Sequence, residues 1–267
     1  MNNSWGFIGG GNMAEAIIRG MIAGGAPAGS IFVADPAPER RSYLADSFKI
    51  NVSADNSEVV SNCGSIFLAI KPQVAAWVCT GLKSVMTEDK LLISIMAGVP
   101  CRSVEGHFGG KQRVVRVMPN TPALVLEGAA AISAGSFATN EDMDAVERIF
   151  RLTGSCCRVD EKLMDAVTGL SGSGPAYVLA FIEALADGGV KNGLTREAAL
   201  NLASQTVLGT AKLMIETGEH PAMLRDKVTS PGGTTIAGLH ALEKGSFRAT
   251  VINAVDASAA RSKELAG

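Results

Sequence analysis

The chain has 267 residues, 47% of them hydrophobic and 5% aromatic, with a formal net charge of −2. That length suits one large domain or two small ones, and the near-neutral balance gives no electrostatic pull toward nucleic acid or an anionic membrane. Five cysteines with no Cys-x-x-Cys pair and three scattered histidines offer neither a disulfide framework nor zinc spacing, so thiols buried in a reducing cytoplasm are expected.

The first element predicted is a strand in the apolar run Trp5-Gly6-Phe7-Ile8, entered with no basic leader before it. Gly9-x-Gly11-x-x-Ala14 follows at once, and then a helical stripe of Met13, Ala16, Ile17, Met21 and Ile22. Strand, glycine turn and helix in that order form a dinucleotide fingerprint. Gly9 permits the tight turn, Gly11 the approach of a pyrophosphate, and Ala14 close helix packing. Gly9, Gly10, Gly11, Asn12 and Met13 are therefore candidate cofactor residues.

A second strand over 31–35 ends with Asp35, where an acid that binds the adenosine ribose belongs. Taken alone, this carboxylate favours NADH, since it repels a 2′-phosphate. Arg40 and Arg41 lie within two helical turns and are able to neutralise such a phosphate, and Pro36 can turn the carboxylate away. Charge logic leaves the choice between NADPH and NADH open. Arg40 is the candidate phosphate contact; its bland alternative is a solvated helix face.

A helix is predicted over 39–48, a short strand over 50–53 and a helix over 57–62, with Asn56 in reach of the ribose. The apolar runs 65–70, 91–96 and 113–118 read as strands buried on both faces. Helices are expected over 74–85 and 141–153, with further strands over 128–133 and 156–159. Such alternation predicts a doubly wound α/β sheet, whose ligands sit beyond the carboxyl ends of the strands. Three strand ends carry candidates: Ala69, Lys71 and Pro72; Ala97 and Gly98; and Asn120 within Met118-Pro119-Asn120-Thr121-Pro122. The alternative for each is strand termination by Pro or Gly, and Lys71 is equally a loop-fixing or surface lysine.

Beyond residue 160 the strand signals stop. Helical patterns cover 161–170, 175–189, 195–217, 221–228, 234–244 and 247–265, which divides the chain into a Rossmann domain (1–159) and a helical domain (160–267). The most apolar of these helices is interrupted by Glu183 and Asp187 and is too polar to span a bilayer. Alanine-rich faces broader than a small bundle buries point to a subunit interface. Ser230-Pro231-Gly232-Gly233-Thr234-Thr235 opens a helix with two glycines and three hydroxyls, which makes an anion site of its unpaired amides; the alternative is a tight turn with a Thr cap. There is no Ser-His-Asp order and no paired carboxylate, and hydride transfer needs neither.

Five blocks occur in order: the glycine turn, Ala69-Ile70-Lys71-Pro72, Arg116-Val117-Met118-Pro119-Asn120-Thr121-Pro122, Gly172-Ser173-Gly174-Pro175-Ala176-Tyr177, and Ser230 to Thr235. Over essentially its whole length the sequence resembles the pyrroline-5-carboxylate reductases. The resemblance implies an N-terminal Rossmann sheet and an all-helical C-terminal dimerisation domain. It implies reduction of the cyclic imine L-1-pyrroline-5-carboxylate to L-proline, the last step of proline biosynthesis, with NADPH preferred and NADH also used. It implies a homodimer, with dimers assembling into larger rings in many members, and the charge balance already argues against a nucleic-acid or membrane partner. Ser230, Gly232, Gly233, Thr234 and Thr235 would hold the substrate carboxylate, with the Thr235 hydroxyl near the ring nitrogen as the catalytic group. Asp35 departs from the small polar residue common at that position. Two rival readings are a β-hydroxyacid dehydrogenase relying on Lys191, otherwise a helix-end cation, and a non-catalytic NADP-responsive binding protein.

Overall fold

The computed structural model describes residues 4–265. They form two compact units, one running through Ser173 and resuming at Asp256, the other from Gly174 to Val255.

The first unit is built on an eight-stranded sheet in the order β3-β2-β1-β4-β5-β6-β7-β8. Its strands are β1 (Trp5–Ile8), β2 (Ile31–Ala34), β3 (Asn51–Ser53), β4 (Ser65–Leu68), β5 (Leu91–Ser94), β6 (Arg113–Met118), β7 (Gly128–Ala134) and β8 (Gly154–Arg158). Between them run α1 (Asn12–Ala23), α2 (Pro38–Phe48), α3 (Asn56–Asn62), α4 (Ala75–Leu82), α5 (Cys101–His107) and α6 (Asn140–Arg151), and after β8 comes the short α7 (Met164–Val167). Strands β1 to β6 are parallel, as the alternation predicts. The β6–β7 step is antiparallel, and β7 and β8 are parallel to each other. The cause is the connection: only a short 3-10 turn, Thr121–Val125, joins β6 to β7, whereas a parallel step needs a longer crossover, usually a helix.

The continuous apolar strands bury both faces. Phe7, Val33, Phe67 and Ile93 pack with Ile17, Met21, Leu44, Val146 and Phe150 from α1, α2 and α6. Ile8, Ile66, Leu68 and Leu92 pack with Val60, Val78, Leu82 and Val104 from α3, α4 and α5. Phe7 and Phe67 stack with centroids 4.4 Å apart. Helix α5 is absent from the sequence reading; seven residues are too few for a 3.6-residue period to stand out.

The predicted helix over 161–170 is broken. A 3-10 turn (Glu161–Leu163) leads into α7 and then a π-turn, Thr168–Gly172, in which the Ser173 amide reaches the Thr168 carbonyl (2.9 Å). Thr168 and Ser171 donate their hydroxyls to the carbonyls four residues back, and such back-bonding distorts a helix.

The second unit contains α8 (Gly174–Lys191), α9 (Arg196–Thr217), α10 (Pro221–Lys227), α11 (Thr234–Lys244) and the start of α12 (Phe247–Leu265). Its core is slight: Ala186, Ala199 and Ala203, flanked by Ile182 and Val190. Alanines let α8 and α9 approach closely, and Thr195 caps α9 by accepting the Ala198 amide. No helix among the described residues is long and apolar enough to cross a membrane.

Candidate dinucleotide and substrate sites

The strand register brings the predicted cofactor residues to one end of the sheet. Ile8 pairs with Ala34 and Leu68, Leu68 with Ser94, and Ser94 with Arg116. Gly9, Asp35, Ala69 and Ile95 therefore follow at the carboxyl ends of adjacent parallel strands.

Gly9 has φ +96°, and a Cβ there would lie 2.4 Å from the Ala69 carbonyl oxygen, so both conformation and space demand glycine. Gly11 differs. Its φ is −65° and a Cβ there would meet no heavy atom within 4 Å. Gly11 is the N-cap of α1 and the first helical bond is Glu15 N–H to Gly11 C=O, so the amides of Gly11, Asn12 and Met13 have no acceptor among the described residues. Open space over free amides at a helix start fits a dinucleotide pyrophosphate.

Asp35 turns inward. Its Oδ2 accepts the Gly10 amide (2.8 Å) and its Oδ1 the Ala37 amide (2.9 Å). Arg40 donates Nε to the Gly10 carbonyl and Nη2 to Glu15 Oε2 (2.6 Å). Glu15 also accepts from Tyr43 Oη (2.9 Å) and Arg19 Nη2 (3.1 Å). Burial pushes the Glu15 carboxyl up, but the hydrogen bonds from Arg40, Tyr43 and Arg19 outweigh it and hold it below the usual glutamate value. Arg41 Nη1 donates to the carbonyls of Asp35 (2.7 Å) and Pro36 (2.9 Å). The sequence reading missed Glu15 and Tyr43; the one available signal was an acid in the first turn of a buried helix face.

At the other strand ends, Lys71 and Pro72 are exposed, and Lys71 makes no side-chain bond among the described residues. Ala97 is exposed beside Gly98, which has φ +73°. Asn56 is the first residue of α3 and is half-buried; Asp55 caps that helix through the Ser57 amide. Asn120 is committed to the fold: its Oδ1 accepts the Ala129 amide (2.8 Å) and its Nδ2 donates to the Ser171 carbonyl of the π-turn (3.1 Å).

The Ser230–Thr235 segment lies in the second unit. Gly232 has φ +66°, and the Gly233 amide donates to the Ser230 carbonyl (3.1 Å). Gly233 is the N-cap of α11 and no side chain caps that helix, so the Thr-capped turn is not what forms. A Cβ on Gly233 would lie 2.2 Å from Ser230 Oγ. The first helical bond is Ala237 N–H to Gly233 C=O, so the amides of Thr234, Thr235 and Ile236 have no acceptor among the described residues. Ser230 and Thr234 are exposed residues and Thr235 is half-buried.

Other chemistries find little support. No cluster of three or more His, Cys, Asp or Glu among the described residues is arranged to hold a metal. Burial pushes the thiols of Cys63 and Cys79 up to about 11 and that of Cys156 to about 12, so none of these is an activated nucleophile. Cys157 is exposed and Cys156 half-buried, against the expectation that all five thiols are buried; both lie on the edge strand β8. Lys191 is the last residue of α8 and exposed, the place of a cation that complements a helix dipole.

The glycine turn and the strand-end loops define a dinucleotide-binding protein of the Rossmann class. Residues 4–98 match the family model described as NADP oxidoreductase coenzyme F420-dependent, and residues 161–265 match that for pyrroline-5-carboxylate reductase dimerisation. A pyrroline-5-carboxylate reductase of Arabidopsis thaliana is 52% identical, over 97% of this chain and 94% of the relative. That of Escherichia coli is 42% identical over 99% of both. A solved pyrroline-5-carboxylate reductase from Coxiella burnetii superposes with a TM-score of 0.95 at 36% identity, covering 100% of both chains. One from Plasmodium falciparum, solved with NADP bound, gives a TM-score of 0.89 at 37% identity over 100% of this chain and 99% of that one. A 3-hydroxyisobutyrate dehydrogenase of Mycobacterium tuberculosis shares the fold alone, at 14% identity and a TM-score of 0.54 over 88% of this chain and 72% of that one.

The chain belongs to the pyrroline-5-carboxylate reductase family. It is an NAD(P)H-dependent oxidoreductase of proline biosynthesis.

Proposed function

We propose that the reduction of L-1-pyrroline-5-carboxylate to L-proline is divided between two sets of residues. Gly9, Gly10, Gly11, Asn12 and Met13 hold the pyrophosphate of the cofactor. Ala69, Lys71, Pro72, Ala97, Gly98 and Asn120 shape the path of its nicotinamide half, Asn120 by fixing its loop. Asn56, Asp35 and Arg40 border the adenosine end. When bound, the cofactor supplies a hydride to the imine carbon.

The observation that carries the substrate reading is the uncapped start of α11, where the amides of Thr234, Thr235 and Ile236 have no acceptor among the described residues and Gly232 lies at positive φ. Such amides favour a carboxylate, with Ser230 and Thr234 adding hydroxyl donors and Gly233 keeping the approach clear. Thr235 places a hydroxyl for the ring nitrogen. A neutral hydroxyl orients that nitrogen but is a poor acid, so the proton comes from water or arrives with substrate bound as the iminium.

The division into residues 1–159 and 160–267, a working dimer, larger rings of dimers and a cytoplasmic location complete the reading. NADH is accepted besides NADPH. The test is nicotinamide absorbance decay with pyrroline-5-carboxylate, run in parallel with NADPH and NADH. Oxidation of both supports dual use; oxidation of NADPH alone removes NADH. Thr235→Ala is expected to lower turnover while leaving the Kd for NADPH unchanged. Wild-type kinetics in that variant would remove Thr235 from the site.

A further inference from the structure

We infer that Asp35 is a positioning residue for the cofactor turn and takes no part in distinguishing NADPH from NADH. This rests on the reading of Gly9 to Met13 as the cofactor cradle.

An acid at the end of the second Rossmann strand ordinarily bonds the ribose hydroxyls and repels a 2′-phosphate. Here both carboxylate oxygens are directed at backbone amides, Oδ2 to Gly10 at 2.8 Å and Oδ1 to Ala37 at 2.9 Å. The carbonyl of Gly10 is gripped from its other side by Arg40 Nε, and Arg40 is held by Glu15, which Tyr43 and Arg19 also bond. Arg40 lies over the Tyr43 ring, 5.0 Å from its centroid, which further fixes the guanidinium. Gly10 is thus clamped at both its N–H and its C=O by side chains from beyond β2, and the free amides of Gly11, Asn12 and Met13 follow directly from it. The negative charge of Asp35 faces its own turn. Arg41, bonded to the carbonyls of Asp35 and Pro36, sets a positive charge beside it. The acid imposes no selection against a 2′-phosphate, and its loss acts on both cofactors through the geometry they share.

The experiment compares wild type with Asp35→Asn, which keeps the shape but can accept only one of the two amides. Kd values for NADPH and NADH are measured by fluorescence titration without substrate. Exchange of the Gly10 amide is followed by NMR in cofactor-free protein. Losing one charge-assisted bond weakens both cofactors by about tenfold. The Kd ratio stays within about twofold of wild type, since the two cofactors differ only at the 2′ position the carboxylate does not face. The Gly10 amide, slow to exchange in wild type, becomes fast in the variant. A gain of about tenfold in selectivity for NADPH would show the carboxylate facing the ribose and overturn the inference, leaving the cradle intact. A Gly10 amide already unprotected in wild type would overturn it without reference to any variant. Failure of wild type to bind either cofactor would overturn the cradle reading itself, and the inference with it.

Discussion

Gly9 and Gly11 sit two residues apart, and the fold demands glycine only at the first. Gly9 is required by the fold: alanine there meets the Ala69 carbonyl at a positive φ. Gly9→Ala is expected to destabilise the protein by at least ~1–2 kcal/mol from backbone strain alone, read as a lower midpoint in urea. At Gly11 the fold makes no such demand, because its Cβ position is empty, and that space is the one proposed for the cofactor pyrophosphate. Gly11→Val should lower the unfolding midpoint only by the loss of a favourable N-cap residue, about 1 kcal/mol or less, while raising the Kd for NADPH more than about tenfold. Unchanged affinity would remove Gly11 from the cradle. Glu15 makes a third case, because its bonds to Arg40, Tyr43 and Arg19 hold its carboxyl below the usual value in the folded protein. The unfolded chain therefore takes up the proton first on acidification. The stability Glu15 contributes is complete above the unfolded value and is lost as pH falls through the depressed folded one. Glu15→Gln should flatten the acid limb of a stability–pH curve; an unchanged limb would mean other carboxylates control it.

Among the elements, those with a long hydrophobic period or a continuous apolar run were legible. The strands around Phe67, Ile93 and Val115 and the helix carrying Ile17 and Met21 lie where their patterns put them. What failed to show was set by contacts distant in sequence or by elements too short for a period. The direction of β7 depends on the connection from β6, α5 has only seven residues, and the π-turn depends on hydroxyl bonds within one turn. The same limit applies to the sites. Residue type and spacing located Asp35 and Asn120 at strand ends, but not that both side chains bond backbone amides of the fold. Helix α6, predicted over 141–153, starts with a cap the sequence analysis did not name: Thr139 and Asp142 form a reciprocal capping box. Thr139→Ala should cost about 1 kcal/mol, which corresponds to a Tm lower by about 2–4 °C in a chain of this size. No change in Tm would mean that the Asp142–Arg113 ion pair (2.7 Å) suffices to hold the helix start.

At the scale of the whole molecule, the second unit leaves more apolar surface exposed than a free-standing helical unit would be expected to leave. Its core is three alanines, while Leu202, Leu208 and Ile215 of α9 are 59%, 58% and 77% exposed. Leu208 and Ile215 stand seven residues apart, hence on one face of the helix. Exposed apolar side chains of this kind suit a surface that another protein covers, and the match of residues 161–265 to a family model described as dimerisation makes a second copy the partner to test on this face. Stability of this unit is then inseparable from chain concentration. Placing glutamate at both positions buries two charges in an apolar interface, at a cost of several kcal/mol per ion. The Leu208→Glu/Ile215→Glu variant is expected to sediment as a single chain of 27.6 kDa, where wild type sediments at a multiple of that mass. NADPH binding by the glycine turn should persist in the variant, because that turn is built from the first unit's own residues. An unchanged mass would move the interface to another face of α9, to α8, or to the exposed side chains of α10 and α11.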